Sequence, residues 1–354
     1  MKVGNIEAKP GEHAFGYLEV AKSRSGLGPD IPVHVFAGSE SGPTLLVQGA
    51  IHGGEIIGSV AILNLIDKLD AKGFRGTVIA VPVVNRVGFE LGERGIRIAS
   101  TDISRLFPGS STGSVPAQIA HTYYEEVIKR ADVMIDFHAG ARTAYERYVL
   151  FSAEKDPNNP SELELKRRKI VVAFGLDKAA YVALDTFGTN TQRELLHEVV
   201  CQITLEFGGG TGWYKNGKDN VSNAERGIWN IMKSMRMIEG EFESDGPLCT
   251  VYNAGIVIWK GDVDGLFIRK RRFGDEMKEG DVYASLVDAY TGEEIDTMVA
   301  PEDGIVIPSG QEWPTIGATS VGILGNIDRV EEESFEIEIP AYKKWSLVVN
   351  EKEI

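Results

Sequence analysis

Apolar positions in the first two thirds of the chain follow two alternating patterns. Compact apolar runs at 44–50 (TLLVQGA), 76–84 (GTVIAVPVV), 131–137 (ADVMIDF) and 200–207 (VCQITLEF) predict buried strands. Between and beyond them, residues 55–69, 117–130, 162–174 and 220–238 read as helices. In the first of these, Ile57, Val60, Ala61 and Leu65 form much of one face. Near-continuous apolar strands separated by helices predict an α/β fold, with a mostly parallel sheet covered on both faces.

The texture changes near Glu239. Residues 239–247 (EGEFESDGP) are polar and contain glycine, as an interdomain linker does. Beyond them, short β-prone runs at 255–259, 265–268, 282–287, 304–307 and 320–324 are separated by turn residues, and no long helical pattern survives. The chain is therefore expected to form an α/β domain over 1–244 and a smaller, all-β, barrel-like domain over 245–354. The phrases MKEGDVYASLVD and APEDGIVIPSG resemble the paired half-motifs of a lipoyl- or biotinyl-type barrel. The lysine that would carry the prosthetic group is missing between them, so a structural barrel is expected rather than a swinging-arm carrier.

Composition narrows the class. With 43% hydrophobic and 25% charged residues the chain is globular, and 354 residues suit two domains. The 37 Lys and Arg against 52 Asp and Glu leave a net charge of −15, which opposes binding to nucleic acid or to an anionic membrane. Two cysteines, Cys201 and Cys249, make neither a disulfide framework nor a cysteine-rich zinc site, and a reducing cytoplasm is expected. Residues 1–15 lack the apolar core of a signal peptide, and no stretch has the roughly 18 apolar residues of a membrane span.

Four segments carry candidate chemistry. His52-Gly53-Gly54-Glu55 follows a strand at the mouth of a helix. If the chain turns tightly there, the imidazole and the carboxylate can reach one ion; a helix-capping histidine is the plain alternative. In Asp136-Phe137-His138-Ala139-Gly140 a second histidine ends a strand, where open α/β sheets place their sites. Glu206, in Leu205-Glu206-Phe207-Gly208-Gly209-Gly210, ends an apolar strand, where a carboxylate is costly without a partner or a task. The loop-like segment 97–109 (RIASTDISRLFPG) holds two arginines, the side chain suited to gripping a carboxylate, although a solvated surface loop would read the same. Arg142 and Arg147 are expected on a solvated helix face.

Taken in order, these segments resemble the succinylglutamate desuccinylase/aspartoacylase family of the zinc carboxypeptidase-like superfamily. The matching order is H-x-x-E, then the arginine-rich D-x-x-R-x-F-P-G segment, then D-x-H, then E-x-G-G, over about residues 45–210. The resemblance implies a mixed, mostly parallel sheet with helices on both faces and a C-terminal β domain. It implies one Zn2+ per chain held by His52, Glu55 and His138, with Glu206 as the catalytic glutamate. Arg97 matches the arginine that polarises the scissile carbonyl, and Arg105 the arginine that holds the substrate carboxylate. Asp102 matches the aspartate that accepts a hydrogen bond from the first ligand histidine. Ser104 stands where the family has asparagine, so one hydroxyl donor replaces two amide donors in carboxylate anchoring. Tyr145 and Tyr214 are candidates for the tyrosine that some relatives use near the leaving group.

The implied activity is zinc-dependent hydrolysis of an amide in a small N-acyl amino acid or related N-acyl amine, with Glu206 as base and then acid. The site would gather positive charge from zinc, Arg97 and Arg105 within an acidic protein. A metallocarboxypeptidase acting on peptides shares this chemistry, and a non-catalytic binding protein that keeps the fold is the reading from another class. The expected partner is a small-molecule substrate, and a homo-oligomer is compatible with such an enzyme.

Overall fold

The computed structural model describes residues 1–20, 30–96, 102–139, 147–153, 160–183, 196, 198–208, 217–246, 248–252, 254–259, 265–271, 275–307, 320–326, 336–337 and 345–346. A short hairpin, β1 (Lys2–Val3) and β2 (Ile6–Glu7), precedes a nine-stranded sheet. The sheet comprises β3 (Glu12–Leu18), β4 (Ile31–Ala37), β5 (Glu40–Gln48), β6 (Arg75–Val81), β7 (Val133–His138), β8 (Arg147–Ala153), β9 (Lys178–Ala183), β10 (Cys201–Phe207) and β11 (Cys249–Tyr252). Its spatial order is β11-β9-β8-β10-β7-β5-β6-β4-β3. The centre, β10-β7-β5-β6, is parallel, as are β8-β9 and β9-β11; β10-β8, β6-β4 and β4-β3 are antiparallel. The sheet is thus mixed and mostly parallel, as expected.

Helices that flank it among the described residues include α1 (Ile57–Lys68), α2 (Arg86–Leu91), α3 (Val115–Glu126), α4 (Glu162–Phe174) and α5 (Gly217–Ser234). Alternation along the strands builds two cores. Val133, Ile135 and Phe137 face the core that α1, α4 and α5 cover, while Met134 faces the core shared with α3. Phe137, Phe174 and Phe207 meet with ring centroids 5.8–6.4 Å apart, in edge and tilted contacts. The α-carbon of Gly58 lies so near the Phe137 ring that a side chain there would overlap it. Phe137 is therefore anchored on one face, and its neighbours Asp136 and His138 are presented on the other.

C-terminal to this sheet, β12 (Ala254–Trp259), β13 (Leu266–Arg269), β14 (Glu276–Met277), β15 (Val282–Val287), β16 (Glu294–Val299), β17 (Gly304–Ile307) and β18 (Ser320–Asn326) form two antiparallel sheets, ordered β12-β18-β17-β14 and β13-β15-β16. A last pair, β19 (Glu336–Ile337) and β20 (Trp345–Ser346), is also antiparallel. The strand β11, just beyond the 244/245 division expected from the sequence, pairs in parallel with β9 in the large sheet. No helix among the described residues is long and apolar enough to cross a membrane.

Arg147 differs from its expected place on a solvated helix face. It opens β8, whose Tyr148, Val149 and Phe151 are buried, so the local pattern is that of an inner strand. Its guanidinium donates two hydrogen bonds of 3.2 Å to Asp245, which also pairs with Arg226 at 2.7 Å. Arg142 lies outside the described residues.

Candidate metal centre

Three adjacent parallel strands, β5, β7 and β10, end at one place. Gln48 is in register with Asp136, and His138 with Glu206, so their side chains stand on the same face of the sheet. The carboxyl ends of parallel strands are where open α/β sheets hold their ligands.

Beyond β5 the chain passes through Gly49, Ala50 and Ile51 to His52. The Glu55 N–H donates to the His52 carbonyl at 3.0 Å, closing a four-residue turn just before α1. This turn brings two side chains three positions apart together. Gly53 does not have the positive φ that glycine favours. It is required because the Gly88–Phe89 backbone of α2 lies directly against its α-carbon. That backbone is fixed by Asn85, whose N–H donates to the Ala50 carbonyl at 3.0 Å and whose side chain caps α2 by accepting from Gly88 N–H at 2.9 Å. Gly53→Ala is expected to force the two segments apart, costing about 1–3 kcal/mol of stability as overpacking does and weakening metal binding. Urea denaturation of the metal-free protein and zinc titration check this.

Within the turn and at the end of β7, His52 Nδ1, Glu55 Oε2 and His138 Nδ1 form a triangle whose three sides are each 3.1 Å. Tetrahedral zinc, with nitrogen and oxygen ligands at about 2.0–2.1 Å, spaces its ligand atoms about 3.3 Å apart. The donor set and its spacing therefore fit such an ion, and among the described residues this is the group that could hold one. The far nitrogen of each imidazole also has a carboxylate partner. His52 Nε2 lies 3.1 Å from Asp102 Oδ1, and His138 Nε2 lies 3.0 Å from Asp136 Oδ2. A carboxylate oxygen accepts, so with an ion in the triangle each Nε2 would carry the proton and each Nδ1 would turn its lone pair to the ion.

The electrostatics favour a cation here. Burial alone would raise the Glu55 and Asp102 carboxyls, but hydrogen bonds from His138 and His52 to Glu55, and from His52 and Ser104 to Asp102, hold both well below the usual range. Burial lowers the His138 imidazole, yet Asp136 and Glu55 outweigh it and raise it well above its ordinary value.

Asp102 is a hub. Besides His52, its Oδ1 accepts from Ser104 N–H at 3.0 Å and from the Ser104 hydroxyl at 2.6 Å. Its Oδ2 accepts from Arg94 Nε at 3.2 Å and Nη2 at 3.1 Å, and Arg105 Nε lies 3.6 Å away. Ser104 thus gives its hydroxyl to the protein's own carboxylate. Arg105 follows in the same short helical turn with its side chain 74% exposed. Glu206 is half-buried at the end of β10 beside His138. Arg97, Tyr145 and Tyr214 lie outside the described residues.

Reading the sequence alone missed Arg94, which also reaches Glu55 Oε1 at 3.5 Å, and gave Asp136 no task. The signal for Asp136 was available: in D-x-H on a strand, residues two apart share a face. Gln48, a polar residue near the end of an apolar run, was a weaker signal of the same kind.

Residues 41–235, more than half of the chain, match the model of the succinylglutamate desuccinylase/aspartoacylase catalytic domain, an interval that contains the whole triangle and Glu206. The chain is 30% identical over 294 residues to the N-alpha-acetyl-L-2,4-diaminobutyric acid deacetylase of Halomonas elongata, covering 80% of this chain and 82% of that one. A succinylglutamate desuccinylase structure from Silicibacter sp. TM1040 superposes with a TM-score of 0.72 at 26% identity, covering 90% of this chain and 100% of the other. The product-bound ectoine utilization protein EutE of Ruegeria pomeroyi shares the fold, with a TM-score of 0.75 at 24% identity over 92% of this chain and 99% of that one. With the ordered motifs, the sheet and the matched domain in agreement, the chain belongs to the succinylglutamate desuccinylase/aspartoacylase family.

Proposed function

We propose that this protein is a zinc-dependent deacylase that hydrolyses the amide bond of a small N-acyl amino acid or related N-acyl amine. The observation that carries the reading is the His52–Glu55–His138 triangle, set beside Glu206 at the ends of three parallel strands. The relatives named as a deacetylase and a desuccinylase support the reaction class.

His52, Glu55 and His138 would hold the ion through three protein ligands, the number typical of catalytic rather than structural sites. The chemistry supplied by zinc held there would be Lewis acidity and a more acidic attacking water. Glu206 takes a proton from the attacking water as its oxygen bonds to the carbonyl carbon. Arg97 donates to the carbonyl oxygen as negative charge develops on it, the kind of stabilisation that is usually the largest contribution. When the C–N bond breaks, Glu206 returns the proton to the departing nitrogen, giving a carboxylic acid and a free amine. Asp102 orients His52, and Arg105 holds the substrate carboxylate at the rim.

Because the Ser104 hydroxyl is engaged by Asp102, Arg105 carries the carboxylate contact without a neighbouring amide. Arg105→Ala is expected to raise KM by about 10-fold or more for substrates bearing an α-carboxylate, with kcat little changed, the signature of lost ground-state binding. Steady-state kinetics check this, and an unchanged KM would place the anchor elsewhere. A parallel screen of N-acyl amino acids and short peptides, read as free amine, tests the function. Release from the acyl amino acids supports the proposal, whereas release from peptides alone would make the protein a carboxypeptidase.

A further inference from the structure

His138 is supported from inside the protein, by a chain of buried polar groups leading away from the site. The Tyr123 hydroxyl on α3 lies 2.8 Å from Gln48 Oε1, and Gln48 Nε2 lies 2.7 Å from Asp136 Oδ1. Asp136 Oδ2 then meets His138 Nε2 at 3.0 Å, with Gln202 Nε2 also near it at 3.4 Å. Tyr123 and Gln48 are fully buried and Asp136 nearly so. Such a chain is costly unless every member is satisfied, so its presence in an otherwise apolar layer calls for a purpose.

We propose that Gln48 and Tyr123 are positioning residues for the metal centre, acting through Asp136 to fix the tautomer and ring orientation of His138. The inference rests on the reading of His52, Glu55 and His138 as metal ligands. The donor directions follow from chemistry. The Asp136 oxygens accept from their nitrogen neighbours, so Gln48 turns its NH2 toward Asp136 and its carbonyl toward Tyr123. The Tyr123 hydroxyl then donates to that carbonyl. A reversed Gln48 amide would set its oxygen against the carboxylate oxygen and its NH2 against the tyrosine. With Tyr123 holding the amide one way round, Asp136 keeps an acceptor aimed at His138 Nε2, which leaves Nδ1 as the atom that faces the metal site. His52 has a different support, since Asp102 sits on a loop and is gripped by the half-exposed Arg94. The two histidine ligands are thus oriented independently, one from the surface and one from the core.

The test uses the full chain and measures zinc affinity by chelator competition, together with the visible spectrum of the Co2+-substituted protein. Loss of a partner behind a metal ligand costs about 10–100-fold in affinity. Gln48→Met, which keeps length but removes both hydrogen bonds, is expected to weaken zinc within that range and to shift the Co2+ bands. Tyr123→Phe is expected to do the same to a smaller extent. In an Asp136→Ala background, Gln48→Met should add less than about a 2-fold further loss, because the effect passes through Asp136. Wild-type affinity and spectrum in folded Gln48→Met or Tyr123→Phe protein would overturn the inference, as would a full additive loss in the Asp136→Ala background. If Gln48→Met does not fold, Tyr123→Phe, which keeps the buried ring, decides alone. Failure of the wild-type protein to bind zinc at all would instead overturn the reading of the site as a metal centre, and this inference with it.

Discussion

Glu206→Gln is expected to leave zinc bound and to lower kcat by at least about 10²-fold, the lower range for loss of a general acid–base group. Glutamine keeps the shape of the side chain and can still accept a hydrogen bond, but it cannot carry a proton from water to a departing amine. The position supports the assignment. Glu206 is in register with His138 on the neighbouring parallel strand, so its side chain shares the face from which His138 joins the triangle. It is not one of the three triangle residues, so metal content should be unaffected. Metal analysis alongside steady-state kinetics checks both halves. Near-normal turnover in the variant would remove Glu206 from the mechanism.

His138→Ala should abolish zinc binding and activity together. Removing one corner leaves His52 and Glu55, two donors on one turn, with nothing from β7 to close the set. Two further carboxylates at the site, Asp102 and Asp136, are already committed to imidazole nitrogens and to other donors. The loss of affinity should exceed the roughly 100-fold upper range for losing a mere outer partner. Dialysis against a weak chelator followed by metal analysis measures it, and full occupancy in the variant would contradict the role of His138.

Much of this arrangement was legible in the sequence because strand ends carry strong local signals. The four apolar runs at 44–50, 76–84, 131–137 and 200–207 correspond to β5, β6, β7 and β10, and helix 162–174 coincides with α4. Three of these strands deliver the site, so placing them placed His52, His138 and Glu206 as well. The edge strand β3 was not read, because it alternates exposed and half-buried positions rather than forming an apolar run. The reason for Gly53 was also hidden: the backbone that crowds it belongs to α2, more than thirty residues further along the chain.

Ser104 shows the limit of reading by resemblance. As a substitution for asparagine it implied one hydroxyl donor in place of two amide donors, and so substrate anchoring either weaker or aimed at a different group. In three dimensions its hydroxyl is directed to Asp102, behind His52, and lies 3.5 Å from His52 Nε2. Arg94 shows the same limit, since nothing in the spacing of 94 and 102 marks an ion pair. The charge reading changes too: Arg94 and Arg105 lie against Asp102, and the triangle itself is ringed by carboxylates. The centre of the site is thus lined to suit a cation.

The most direct test of zinc-dependent deacylation is amine release from a panel of N-acyl amino acids, measured on one preparation before chelation, after chelation and after zinc is restored. The account predicts release at one zinc per chain, loss on chelation and recovery with zinc. Undiminished release from the metal-free protein would contradict it, as would zinc-loaded protein that hydrolyses none of the panel.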